Sequence, residues 1–238
     1  TARRNSPGNT FEIGAMSGGE KAVLSGNTYG GSVKYKVGAK NTSTTFAGTI
    51  SDGNGKTHLI KTGTGTLTLT GTNTYSGNTT VENGKLVVDG SLKPSDVPTI
   101  TVSSTARLGG KGEVTGNVTL LNGGARIELS DGEIGSLTIN GNLELGDNSA
   151  IVLDIGDTVD QIIIKDGTLN RIGDVTISLN KINMPYDGTH IIISGAKLGS
   201  TQGFSLEESD FLKTAQLCVV DGDLAIKIKQ TGTLSILR

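Results

Sequence analysis

The residues whose types could do chemistry are few. There are two histidines, His58 and His190, one cysteine, Cys218, and one dense acidic set, Asp154, Asp157 and Asp160. A histidine ligates a metal or shuttles a proton only with companions. His58 and His190 fall in different repeats with no ligand at helical spacing, so each is read as a surface or strand position. Calcium needs several converging oxygens. The acidic set is spaced by three, against two in the EF-hand, and is read as a solvated turn. No G-x-S-x-G elbow occurs. Gly55–Lys56–Thr57 has the ending of a phosphate loop, but position 50 is Ile and no helix follows, so it is a turn. Gly109–Gly110–Lys111–Gly112–Glu113–Val114 is a single copy of a calcium-nonapeptide-like string with Glu for Asp, and is read as a corner. A β-helical polysaccharide lyase needs clustered carboxylates, a basic catalytic residue and sugar-contacting aromatics; here the arginines (Arg3, Arg4, Arg107, Arg126, Arg171, Arg238) are scattered singly, and four Tyr and four Phe give few platforms for sugar stacking. Tyr29, Tyr35 and Tyr75 are expected at coil corners or at the end of the fold, ring buried and hydroxyl wet. No catalytic, cofactor-binding or metal-binding residue is expected, and the chain is read as not an enzyme.

The elements that carry these residues are strands. Thr66–Leu67–Thr68–Leu69–Thr70 alternates strictly, as do many shorter segments bounded by Gly, Asn or Asp. Only Leu206 to Ala215 could form a short helix, with Ser205 as N-cap and Glu208 three residues on. Leu217 to Val220 and Leu224 to Ile228 flank Asp221–Gly222 and predict a β-hairpin. Turn-plus-strand units recur: Leu67 to Leu86 and Gly116 to Gly135 are each 19 residues apart. Such ladders predict an all-β solenoid. At ~20–25 residues per coil the chain makes about ten coils, a rod roughly 50 Å long at ~4.8 Å per coil.

Composition agrees. The chain holds 36 glycines, 3% aromatics and no Trp. Corners with φ > 0 favour Gly and Asn. A thin interior suits Leu, Ile and Val, whereas a sandwich of this size would carry more aromatics. Net charge is −2, which points away from a nucleic-acid surface. One cysteine excludes an internal disulfide. No run approaches ~18 apolar residues, so a membrane enters only through a segment outside this chain. The first residue is Thr, and the chain is read as a segment of a longer protein. Residues 1–238 are expected to form one β-helical domain, with 1–20 ragged and 200–238 a C-terminal cap.

Lys61 to Gly90 reads KTGTGTLTLTGTNTYSGNTTVENGKLVVDG. It resembles the autotransporter-associated β-strand repeat, matching at Lys61, Gly63, Gly65, Leu67, Leu69, Gly71, Asn73, Thr74, Tyr75, Gly77, Thr79 or Thr80, Val81, Gly84 and Leu86. Phe46 to Gly53 is similar to the segment that commonly precedes the repeat, and Ala106 to Val118 more loosely to passenger segments downstream. The resemblance implies a right-handed, single-stranded parallel β-helix, exported by a Gram-negative bacterium and displayed at the cell surface in association with the outer membrane. It implies a non-catalytic stalk or adhesin scaffold; the alternative is the accessory β-helix of a larger exported polysaccharide-degrading enzyme. No cofactor and no nucleic acid are expected. A host-surface or cell-surface ligand, protein or glycan, is the open partner class.

Overall fold

The computed structural model describes residues 9–26, 30–94, 96–183, 188–207 and 215–228. Period-two alternation becomes short strands, and short strands separated by tight corners wind into a parallel solenoid with three faces. The first face runs from Asn9–Ile13 through Val33–Val37, Thr57–Lys61 and onward to Leu169–Arg171. The second runs from Thr44–Phe46 through Thr66–Leu69 and Lys85–Val88 to Phe204–Leu206. The third runs from Thr72–Asn73 through Glu113–Thr115 and Gln161–Lys165 to Gly188–Ser194. A shorter parallel pair, Val23–Ser25 with Thr49–Ser51, lies beside it.

Each of the three faces has eight strands, so the first face makes seven steps rather than about ten. The step is uneven: 24 residues at Val33↔Thr57, 18 at Ile100↔Val118 and 26 at Leu143↔Leu169. The chain also leaves the parallel winding near its end. Asp223–Ile228 pairs antiparallel with Gly188–Ser194, and Gln216–Val220 pairs antiparallel with Asp223–Ile228. The parallel rod is therefore roughly 35 Å long at ~4.8 Å per step.

The expected hairpin forms. Asp221 (φ 52°) and Gly222 (φ 88°) both take positive φ, the type I′ geometry that matches strand twist. The expected helix does not begin at Leu206, which ends a strand paired to Ile177; residues 208–214 lie outside the described set. No helix occurs among the described residues.

The core is a stack of aliphatic rows. Leu67, Leu86, Leu108, Ile127, Ile151 and Ile177 lie in register down the second face, each 0–1% exposed. Burying each such side chain stabilises by ~1.5–3 kcal/mol. The polar residues between them alternate outward, and a one-residue slip would reverse both sets.

Candidate functional site

The repeat coil is where the sequence pattern is densest, and its polar residues turn inward. Lys61 ends a first-face strand and is 1% exposed. Its Nζ donates to the main-chain carbonyls of Thr62 (2.8 Å), Gly63 (2.9 Å) and Asn83 (3.0 Å). Burial pushes its pKa down to about 8. Asn73 is likewise 1% exposed. Its Oδ1 accepts from the Ile50 N–H of the previous coil at 2.9 Å. Its Nδ2 donates to Gly71 O at 3.1 Å and to Ser91 O of the next coil at 3.3 Å. Asn73 thus replaces a stretch of sheet ladder with its amide. Asp52 receives Thr57 N–H through Oδ1 and the N–H and hydroxyl of Ser76 through Oδ2.

Two glycines of the repeat have specific reasons. Gly63 has φ +69°, and a Cβ there would stand 2.0 Å from Gly38 O. At Gly71 the clash would be with Gly48 O at 2.1 Å. Both are places where one coil's corner rests on the backbone of the coil before it. Tyr75 departs from expectation: its ring is buried, and its hydroxyl meets Thr79 Oγ1 at 2.6 Å instead of water. Burial raises its pKa to about 12. Tyr35 does lie near the N-terminal end, tilted against Phe11 at 5.8 Å and bonded to Ser25 O. Tyr29, Arg3, Arg4 and Arg238 fall outside the described residues.

The other sequence candidates stay apart. His58 is half-buried on the first face, where its Nδ1 accepts from Asn78 N–H at 3.0 Å. That fixes the neutral tautomer, and burial together with Lys34 and Lys56 lowers its pKa. His190 is on another face, opposite Ile226. The Gly55–Lys56–Thr57 turn is a corner, with Lys56 held by Asp96 at 2.6 Å. Gly110 to Gly112 is a corner between Arg107–Gly109 and Glu113–Thr115. Arg107 and Arg126 are register partners on neighbouring coils, and Arg107 lies 3.5 Å from Glu128. Arg171 stacks over Phe204 at 5.7 Å. Cys218 is a half-buried free thiol in the hairpin.

The acidic set is not a solvated turn. Asp157 is exposed, but Asp154 and Asp160 are 0% and 1% exposed. Asp154 Oδ2 accepts from Asp131 N–H (2.9 Å) and Gly132 N–H (2.6 Å), while Oδ1 takes the Asn180 amide. Asp160 accepts from Gly135 N–H and Asp154 N–H, both at 2.7 Å. These carboxylates tie three successive coils. Among the described residues no group of three or more His, Cys, Asp or Glu converges on a metal position.

Asparagines also stack from coil to coil, as a solenoid favours, although the sequence does not say which of them form the ladder. Asn78 Oδ1 accepts from Thr99 N–H at 3.1 Å, Asn117 Oδ1 from Asn142 N–H and Asn142 Oδ1 from Thr168 N–H, both at 3.0 Å. Beside it, Thr99, Asn117, Thr119, Asn142, Glu144 and Asn170 line a shallow cleft on the first face, floored by Val118. The only sequence signal was Asn recurring at corners, which turns also explain.

Residues 59–88 match the Passenger-associated-transport-repeat family, in agreement with the resemblance of residues 61–90. The chain is also similar to an autotransporter adhesin, BmaC, of Brucella suis biovar 1 (strain 1330), being 38% identical over 95 residues. That alignment covers 40% of this chain, and the chain spans only 3% of the length of the curated relative it matches. The repeat, the similarity and the parallel β-solenoid together are those of a passenger segment.

Proposed function

We propose that this chain is a non-catalytic, rigid β-solenoid segment of a surface-displayed bacterial adhesin, secreted and held at the cell surface through a part of the protein outside it. The carrying observation is where the repeat's polar residues go. Lys61 and Asn73 spend their hydrogen bonds on main-chain groups of their own or neighbouring coils, so the residues that define the repeat build the stack. The passenger repeat and the similarity to an autotransporter adhesin support the cell-surface setting and a non-enzymatic role. Residues 1–238 act in this reading as one domain. Residues 200–238 cap it, a role supported by the antiparallel hairpin that ends the third face.

The test has two arms. Bacteria displaying the full-length polypeptide are compared with bacteria displaying one that lacks residues 9–228, and adhesion to host cells is counted. A scaffold role predicts reduced adhesion with unchanged amounts of protein at the surface. Adhesion equal in both strains would overturn it. In the second arm the purified chain is incubated with soluble polysaccharides, and reducing ends are measured. Release above the blank would show an enzyme instead.

A further inference from the structure

We infer that the first-face cleft binds a neutral glycan chain lying along the solenoid axis. This rests on the adhesin-scaffold reading and names a surface and a ligand class for it.

The cleft is built from side chains in register. Thr119, Glu144 and Asn170 occupy equivalent outward positions on three successive coils. They therefore form a row with one hydrogen-bonding group every ~4.8 Å. Asn117 and Asn142 run parallel to that row, and the next coil orients both amides. An N–H must meet an oxygen, so Asn142 N–H and Thr168 N–H fix Oδ1 of Asn117 and Asn142. The Nδ2 donors of both amides are left for a ligand. The row offers amide donors, a hydroxyl that both donates and accepts, and a carboxylate that accepts two hydroxyl hydrogens. A sugar ring, with adjacent hydroxyls that each donate and accept, satisfies all three.

Charge and polarity select among ligands. The lining contains Glu144 and no Lys or Arg, so phosphate, sulfate or carboxylate groups are repelled. Nucleic acids and acidic glycans fit poorly for that reason. A protein partner would seek aromatic or arginine anchors, and the lining has none; its one apolar member, Val118, is 0% exposed. Except for Asn142, which sits at the corner before Leu143–Leu145, the lining side chains sit on sheet strands, so little ordering entropy is lost on binding. The cleft holds about 150 Å³, below the usual range for small-molecule pockets, so a single site binds weakly. Many copies on one cell surface would raise the effective affinity.

The experiment uses the 238-residue chain and saturation-transfer NMR. The probes are the neutral oligosaccharides cellohexaose, laminarihexaose, mannohexaose and xylohexaose, with a heparin fragment as acidic comparator. The expected result is saturation of at least one neutral probe. Glu144→Gln and Asn170→Ala should each weaken it about fivefold, the loss of one good hydrogen bond. Thr119→Arg, which fills the cleft, should abolish it. Circular dichroism melts identical to the parent show that the variants remain folded. Heparin preferred over every neutral probe, no neutral probe saturated, or binding unmoved by all three variants would overturn the proposal. None of these outcomes would alter the adhesion count after removal of residues 9–228, so the two readings fail separately.

Discussion

The ammonium group of Lys61 donates to the main-chain carbonyl of Asn83, 22 residues further along the chain, at 3.0 Å. This buried cation is held by carbonyls alone, and burial lowers its pKa from 10.5 to about 8. The folded chain therefore gives up this proton at lower pH than the unfolded chain. Between those values the unfolded state binds more protons, so the Lys61 contribution to stability rises with pH; below the lower value it is flat. Urea unfolding of the parent and Lys61→Met, followed from pH 7 to pH 11, should show the parent gaining on the variant only across that window. At pH 7 the variant leaves buried carbonyls unpaired and should still be the weaker by about 2 kcal/mol. A difference independent of pH would mean the ammonium is solvated.

Asn73→Ala should destabilise by about 2–3 kcal/mol, because the Ile50 N–H and Ser91 O would lose their partner in a buried position. The midpoint of chemical denaturation is the readout. The neighbouring exposed Asn78→Ala should cost less, because water can replace its bond to Thr99.

Asp160 has the opposite pH behaviour to Lys61. Burial, with Asp154 and Asp131 nearby, raises its pKa from 3.8 to about 6. The folded state keeps a proton that the unfolded state has already lost, so stability falls as pH rises between those values and then levels. Asp160→Asn carries no such titration, though it sets an amide donor against Gly135 N–H or Asp154 N–H. The stability advantage of the parent over Asp160→Asn should thus be largest at pH 4 and shrink towards pH 6. An advantage that grows over that range would refute the buried-carboxylate account.

The repeat was legible because its members are distinctive at fixed offsets within one coil, from Lys61 to Leu86. Their burial was not legible, because the partners of Lys61, Asn73 and Asp154 are backbone groups of other coils. Coil lengths of 18 to 31 residues hide which residues those are. The same unevenness spoiled the coil count. Asp154 and Asp160 were misread as a solvated turn for the same reason: the loop at Asp131–Gly135 supplies their donors from the previous coil. The first-face cleft has no motif at all; Asn117, Asn142 and Asn170 meet only because unequal coils bring them side by side. Leu206 opened a good helical pattern, but pairing to Ile177 claims it for the sheet.

Gly63→Ala should be among the most damaging single changes, at about 3 kcal/mol or more, since it adds a clash with Gly38 O to a positive φ. Gly124→Ala separates the two causes. Gly124 also has positive φ, +105°, but nothing lies within 4 Å of the added methyl. It should cost only about 1 kcal/mol. Equal melting temperatures for the two variants would show that close coil contact at Gly63 is not the constraint.

Two buried hydroxyls, those of Ser149 and Thr79, differ in whether they are paired. Ser149 is 1% exposed, points inward on the strand that carries Ile151 and Leu153, and its Oγ is the one buried side-chain polar atom without a partner among the described residues. Thr79 is equally buried, but its Oγ1 pairs with Tyr75. Removing an oxygen with no partner removes a desolvation penalty, whereas removing a bonded one strands the other group. Ser149→Ala should therefore stabilise by about 1 kcal/mol, raising the melting temperature by about 2–4 °C. Thr79→Val should lower it by a similar amount, because the Tyr75 hydroxyl would be left buried and unpaired. Calorimetry on the two variants reads both signs. A loss of stability in Ser149→Ala would mean that its hydroxyl holds a partner, such as an internal water, in solution.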